Sequence, residues 1–253
     1  MIEKNIEFLN SKTEKLSGIL TLPDGEPKAK ALLAHGMYYY KSEDGVFDHL
    51  AEKLAKAGIA SLRFDFTAHG DSQGNFIDFT LEQELSDFSK AYSYLNSAFP
   101  QTKKTILIGT SFGCVPVVLS KLPADAVVLL NPSVSGVTRR NTYDRLVENW
   151  EALLEKQGYI KHWKKGYKIS KTFMKETLEI NLVEHAGKLK GPLLFVHGDK
   201  DDLAPIKESK ELFAAASEPK KFVTLHGVAH GFHTKKSEAQ MIRTVMEWLG
   251  KTL

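Results

Sequence analysis

A serine, a set of histidines and a set of aspartates stand in this chain where they could act together on an acyl group. Gly109-Thr-Ser111-Phe-Gly113 has the spacing G-x-S-x-G. Ordinary residue usage would produce that pentapeptide by chance in about one chain of this size in ten, so its setting has to carry the reading. The β-rich run Thr105-Ile-Leu-Ile108 stands directly before it, and a stretch able to form a helix follows. A strand turning sharply into a helix lifts the serine hydroxyl clear of the sheet, and small flanking residues let the backbones pass close together. The helix N-terminus then favours negative charge developing beside that hydroxyl. A phosphate-binding turn or a plain N-cap serine would explain the residues but not the whole setting.

A serine nucleophile needs a base to take its proton. His226-Gly-Val-Ala-His230-Gly-Phe lies just past the last predicted strand, in a loop with two glycines. His230 is the candidate, with His226 and His233 as rivals. The three could also suggest a metal site, but a zinc-peptidase helix carries a glutamate beside its first histidine, where this chain has Gly227. No metal is expected. The base in turn needs a carboxylate to hold its tautomer and stabilise its charged form. His197-Gly-Asp199-Lys-Asp201-Asp202-Leu-Ala-Pro205 offers three, and aspartates in such a stretch also form turns by default.

The elements that must position these groups are legible as alternating patterns. Ile2 to Leu9 and Leu16 to Leu22 read as a hairpin around polar residues 10–15. Strands are expected over Ala29 to Ala34, Ile59 to Phe66, Thr105 to Gly109, Ala126 to Leu130, Pro192 to His197 and Lys221 to Leu225. Between them fall helical patterns over Val46 to Ala57, from Thr80 to before Pro100, Phe112 to Leu122, Pro205 to Ala216 and Ser237 to Leu249. Pro116 would lie in a first turn, where its missing N–H costs little. Strands alternating with helices imply an α/β fold with a mostly parallel sheet of about eight strands, covered on both faces. The last strand would bring the His230 loop to the same sheet edge as Ser111.

The alternation stops between Asn131 and Lys190, a stretch rich in lysine and aromatics with no obvious buried strand. It is too long for an ordinary loop. Residues 132–190 are therefore expected to form a small inserted cap within a single domain, 1–253. Seven lysines and no acidic residue lie between Lys156 and Lys175. A solvated helical face is the simpler reading, and a rim attracting anionic substrates is the sharper one.

The chain resembles the α/β-hydrolase superfamily of serine hydrolases over nearly its whole length apart from the insertion. The His197-Gly-Asp-Lys-Asp201 segment looks like that superfamily's acid turn, where the acid falls three residues after the glycine; the resemblance selects Asp201. The order Ser111, Asp201, His230 agrees with that fold. His35-Gly36-Met37 resembles the oxyanion turn, implying that the backbone N–H groups of Met37 and Phe112 meet the oxyanion. Arg63-Phe-Asp65-Phe-Thr-Ala68-His69-Gly70-Asp-Ser72 resembles a D-x-x-G-x-G-x-S turn with Ala68 in place of the first glycine; His69 and Asp71 are expected to stabilise it. The run from His35 through Gly74 is most similar to bacterial cinnamoyl- and feruloyl-esterase-type carboxylesterases. Tyr38, Tyr39 and Tyr40 with the insertion's aromatics would suit an aromatic acyl group, or equally the cap's own core.

The resemblance thus implies an esterase taking a small-molecule ester or acyl substrate through a Ser111–Asp201–His230 triad and an acyl-enzyme, with no cofactor. A peptidase, thioesterase or lipase could use the same triad, and a ligand receptor could keep the fold without turnover. The net charge of +3 does not argue for nucleic acid, and no nucleic-acid partner is expected. No run approaches the roughly 20 apolar residues that span a bilayer, so no membrane is expected as a partner either. One cysteine, Cys114, requires no oxidising compartment, and the opening residues do not form a signal-peptide core. The cytoplasm is the expected location, and a homodimer is left open.

Overall fold

The computed structural model describes residues 1–162 and 165–253. In chain order its strands are β1 (Ile2–Leu9), β2 (Lys15–Leu22), β3 (Ala29–Ala34), β4 (Ile59–Phe64), β5 (Lys104–Thr110), β6 (Ala126–Leu130), β7 (Tyr159–Lys161), β8 (Lys168–Ser170), β9 (Leu193–Gly198) and β10 (Lys220–Leu225). The α-helices are α1 (Val46–Lys56), α2 (Leu81–Ala98), α3 (Cys114–Leu119), α4 (Gly136–Leu146), α5 (Trp150–Gln157), α6 (Lys171–Leu178), α7 (Ile206–Ala215) and α8 (Lys235–Thr252).

Eight strands make one sheet in the order β1-β2-β4-β3-β5-β6-β9-β10. The β1–β2 hairpin is antiparallel and joins β4 antiparallel; from β4 to β10 every pairing is parallel. Every residue of β3, β4, β6 and β9 is buried, which is why these strands read as mostly apolar runs, Lys30 of β3 and Ser61 and Arg63 of β4 among the exceptions, rather than as alternating ones. The pleat still divides them. Ala31 and Leu33 face a core shared with Phe47, Leu50 and Leu54 of α1 and Met241, Val245 and Leu249 of α8. Leu32 and Ala34 face the opposite core, with Phe88, Ala91 and Leu95 of α2, Val115 and Val118 of α3 and Leu212 of α7.

The helix expected over Phe112 to Leu122 is shorter. A 3₁₀ turn occupies Ser111–Gly113, α3 follows, and Lys121 in the left-handed region (φ 55°) ends it. Apolar spacing gave no sign of where that stop falls.

Between β6 and β9 the chain leaves the sheet to form α4, α5, the β7–β8 hairpin, α6 and a 3₁₀ segment over Leu182–Lys188. The sequence showed no buried strand here. Two three-residue strands pair antiparallel and bury Ile160 and Ile169, too short a run for a period of two to be seen. The lysines do not share one helical face: Lys156 belongs to α5, Lys161 and Lys168 to the hairpin, and Lys171 and Lys175 to α6. Trp163 and Lys164 lie outside the described residues. Among the described residues the insertion shares the core of the domain, with Phe173 of α6 packed against Phe79 and Phe112 on the α2–α3 side. Among the described residues no helix is long and apolar enough to cross a membrane.

Candidate active site

Ser111 directly follows β5 with φ 51°, a left-handed conformation that costs a non-glycine residue about 1–3 kcal/mol. The flanking glycines make that turn possible. A Cβ on Gly109 would stand 2.5 Å from the carbonyl oxygen of Gly113, and one on Gly113 would stand 2.2 Å from that of Ala34. Both obstacles are backbone, so β5, α3 and β3 can approach this closely only without side chains at these two positions.

The Oγ of Ser111 lies 2.9 Å from Nε2 of His230, and Nδ1 of His230 lies 2.6 Å from Oδ2 of Asp201. Asp201 follows β9 and His230 follows β10, so the parallel pairing of these strands carries both loops to the sheet edge where β5 ends. Burial pushes the Asp201 carboxyl up, but hydrogen bonds from His197, His230 and the Ala204 N–H outweigh it and hold its pKa well below the usual carboxylate range. An ionised carboxylate only accepts. Nδ1 of His230 therefore carries the proton, and Nε2 is free to accept the Ser111 hydroxyl.

The Asp201 side chain is fully buried, and its second oxygen accepts the N–H groups of Leu203 (3.0 Å) and Ala204 (2.8 Å). Behind it, His197 Nε2 lies 2.8 Å from the Ala204 carbonyl and 3.3 Å from Oδ2 of Asp201, sharing its N–H between them, while its Nδ1 meets the Ser209 hydroxyl (2.7 Å). The other candidates are engaged elsewhere. Asp199 accepts the Gly227 N–H (2.7 Å) and pairs with His226 (2.9 Å), tying down the loop that carries His230. Asp202 lines the cleft. His233 stacks on Tyr39 and bonds its hydroxyl.

Met37 and Phe112 line the same cleft as Ser111 and His230. The N–H of Gly36, one residue before Met37, donates to Oε2 of Glu43 at 2.8 Å. Burial pushes Glu43 up to about 8, against the opposing effect of that N–H and with a further push from Asp44. His69 and Asp71 sit in the turn after β4. His69 is buried with Nδ1 at 2.9 Å from the Thr67 carbonyl, and Asp71 shares Lys41 with Asp65.

The cleft has a volume of about 480 Å³. Met37, Tyr38 and Tyr39 form one wall, and Thr138, Arg139, Tyr143 and Leu146 of α4 form another. The three tyrosines expected to act alike do not. Tyr38 is tied to the insertion through a 2.7 Å hydroxyl contact with Tyr143 and ring contacts with His162 and Tyr167. Tyr39 lines the cleft under the Lys165 ammonium, and Tyr40 points to Asp44 at the surface.

Sequence reasoning missed Glu43, Ser133 and Arg139, which all line the cleft; Lys165, one of the lysines weighed as a rim for anionic substrates, lines it too. Glu43 lies seven residues beyond Gly36 in a polar stretch that resembles any surface loop, and Arg139 lies in an insertion with no strand to anchor a register. No periodic signal pointed to either. Asn131 at the end of β6 was passed over too; its side-chain oxygen accepts the Gly198 N–H at 3.0 Å, joining the ends of β6 and β9 beneath the site.

The family model Hydrolase_4, described as serine aminopeptidase, S33, matches residues 25–172. A monoacylglycerol lipase of Mycolicibacterium smegmatis is 26% identical, with 90% of each chain covered. The putative esterase/lipase 2 of Mycoplasma pneumoniae is 25% identical over 88% of this chain and 90% of its own. Among solved structures, Est1E of Butyrivibrio proteoclasticus with ferulic acid bound superposes with a TM-score of 0.83 at 23% identity, covering 98% of both chains. The esterase domain of a Rhodothermus marinus protein gives 0.72 at 24% identity, again covering 98% of both. At such identities the likeness to these two structures speaks for the α/β-hydrolase fold alone. The family match ends before Asp201 and His230, so their assignment rests on geometry.

Proposed function

This chain belongs to the Hydrolase_4 family (serine aminopeptidase, S33) of α/β-hydrolase serine hydrolases, and from that premise we propose that it is a carboxylesterase cleaving small acyl or aromatic esters. The observation that carries the reading is the unbroken line of hydrogen bonds from Ser111 through His230 to Asp201 at the floor of an open cleft. His230 takes the Ser111 proton as Oγ attacks the ester carbonyl, and Asp201 stabilises the imidazolium that forms. The N–H groups of Met37 and Phe112 receive the developing oxyanion; loss of one such donor typically costs about 100- to 1000-fold in rate. His230 then gives its proton to the leaving alcohol, and water repeats the cycle to release the acid from Ser111. Nothing in these steps calls for a cofactor.

The insertion is the cap in this reading. It supplies the α4 wall, and the Tyr38–Tyr143 contact anchors it to the turn that carries Met37. The cleft volume suits a short or single-ring acyl group.

Hydrolysis of a panel of nitrophenyl esters tests the proposal, running from acetate through longer acyl chains to a cinnamate. Wild type and Ser111→Ala are compared. Turnover that disappears in the variant, together with phosphonate labelling of Ser111, is the expected result. Labelling without ester turnover would move the function to thioesters or amides. Neither labelling nor turnover would leave a receptor on a hydrolase fold.

A further inference from the structure

The walls of the cleft carry cations that the ester mechanism above does not use. Arg139, Arg145 and Lys165 line it, and Asp202 is the only acidic side chain there besides buried Glu43 among the described residues. Lys165 is engaged, donating to the Tyr38 carbonyl at 2.6 Å with its ammonium 4.2 Å above the Tyr39 ring. Arg145 is exposed on the last turn of α4. Arg139 is different. It is half-buried, its guanidinium lies 4.2 Å from the centroid of the Phe112 ring, and one nitrogen donates to the Ser133 hydroxyl at 3.1 Å. Among the described residues it forms no ion pair.

Such an arginine is costly to leave without an anion, because a guanidinium drawn out of water needs a compensating charge. Burial lowers the pKa of Arg139 despite the opposing electrostatic influence of Tyr143, Tyr38, Glu84 and Glu208. Glu84 does not supply the missing charge, since burial holds its pKa well above the usual range. Among the described residues four of the five guanidinium N–H groups are left for other acceptors, in a planar fork that matches a carboxylate.

The position of this charge is specific. Ser133 accepts a hydrogen bond from Arg139 on its hydroxyl and donates its own N–H to the Ser111 carbonyl at 3.1 Å. Arg139 is thus tied to Ser111 and Phe112, which hold the acyl half of the ester in the mechanism above. The leaving alcohol instead takes its proton from His230.

Resting on that mechanism, we propose that Arg139 selects substrates whose acyl group carries a carboxylate, so that the ester cleaved is the half-ester of a dicarboxylic acid. The carboxylate pairs with the guanidinium fork while the ester carbonyl reaches Ser111. Hydrolysis consumes water and releases the alcohol and the free dicarboxylate.

The test compares kcat/KM for the mono-4-nitrophenyl ester of adipic acid with that for its neutral counterpart, the 4-nitrophenyl ester of monomethyl adipate. A second pair, 4-acetoxybenzoate and its methyl ester, places the charge on the leaving group. Wild type is expected to prefer the anionic adipate ester at least tenfold, mainly through KM, with little preference in the second pair. Arg139→Gln should lower the adipate ratio at least tenfold, Arg139→Lys should restore part of it, and added salt should erode it.

Equal losses on both adipate esters in Arg139→Gln would overturn the proposal, because a purely structural or oxyanion-directed arginine acts on neutral and charged substrates alike. A preference confined to the charged leaving group would overturn the acyl placement. Absence of any preference in wild type, with neutral esters still cleaved at Ser111, would overturn this inference and leave the esterase reading standing. Absence of both turnover and Ser111 labelling would remove the two together.

Discussion

Asp201 reaches His230 with one carboxylate oxygen, at 2.6 Å from Nδ1, and spends the other on the N–H groups of Leu203 and Ala204. The two oxygens have separate tasks. One orients the imidazole, and the other locks the carboxylate to its own turn, so the hydrogen bond to His230 does not depend on a mobile side chain. Asp199 and Asp202 lack this arrangement, although each lies within two residues of Asp201.

Asp201→Asn is expected to lower kcat by about 10³- to 10⁴-fold, because an amide in this place can hold the wrong imidazole tautomer and cannot stabilise its charge. Asp202→Asn should have a far smaller effect, and Asp199→Asn should act only through the loop that carries His230. Ester hydrolysis by the three purified variants measures the order directly. A larger loss at either neighbour would reassign the acid.

Gly113→Ala is expected to destabilise the fold by about 3 kcal/mol, the upper end for overpacking, because its Cβ would meet the Ala34 carbonyl and backbone cannot swing aside. Gly250→Ala on α8 meets nothing within 4 Å and should be neutral or slightly stabilising. Urea unfolding of the pair provides the measurement, with the second variant as control.

Glu43 gives stability a pH dependence of known sign. Its pKa of about 8 in the fold lies above the ordinary 4.5. The stability contributed by its protonated form is complete below pH 4.5 and is lost as pH rises through 8. Glu43→Gln keeps an acceptor for the Gly36 N–H without a titrating charge. The urea midpoint of the variant should therefore fall less than that of wild type across this window. Parallel profiles would show that Glu43 is ionised in the native protein throughout.

The Tyr38–Tyr143 contact should appear as a coupling of about 1 kcal/mol in a double-mutant cycle with Tyr38→Phe and Tyr143→Phe. Because it joins the Met37 turn to α4, either single change should raise KM more than it lowers kcat. Additive losses in unfolding experiments would mean that the two hydroxyls act independently.

Much of this molecule was written locally. Gly109 and Gly113 around Ser111 announce a turn that only small residues allow, and the continuous apolar runs of β3, β6 and β9 announce a sheet buried on both faces. Those signals depend on neighbours within a few residues, where steric rules and hydrophobic periodicity operate. Sequence spacing alone left three aspartates and three histidines open, and the family resemblance was needed to choose Asp201. The tertiary structure accounts for that choice physically: Asp201 alone is fully buried against His230, while Asp199 turns to His226 and Asp202 to the cleft. Glu43 behind Gly36 and Arg139 over Phe112 were not legible at all, and Tyr38 was legible only as one of three tyrosines open to an acyl group or to the cap's core. Glu43 meets Gly36 across a seven-residue turn, while Phe112 meets Arg139, and Tyr38 meets Tyr143 105 residues on, only through the packing of the insertion on the sheet, for which no local pattern exists.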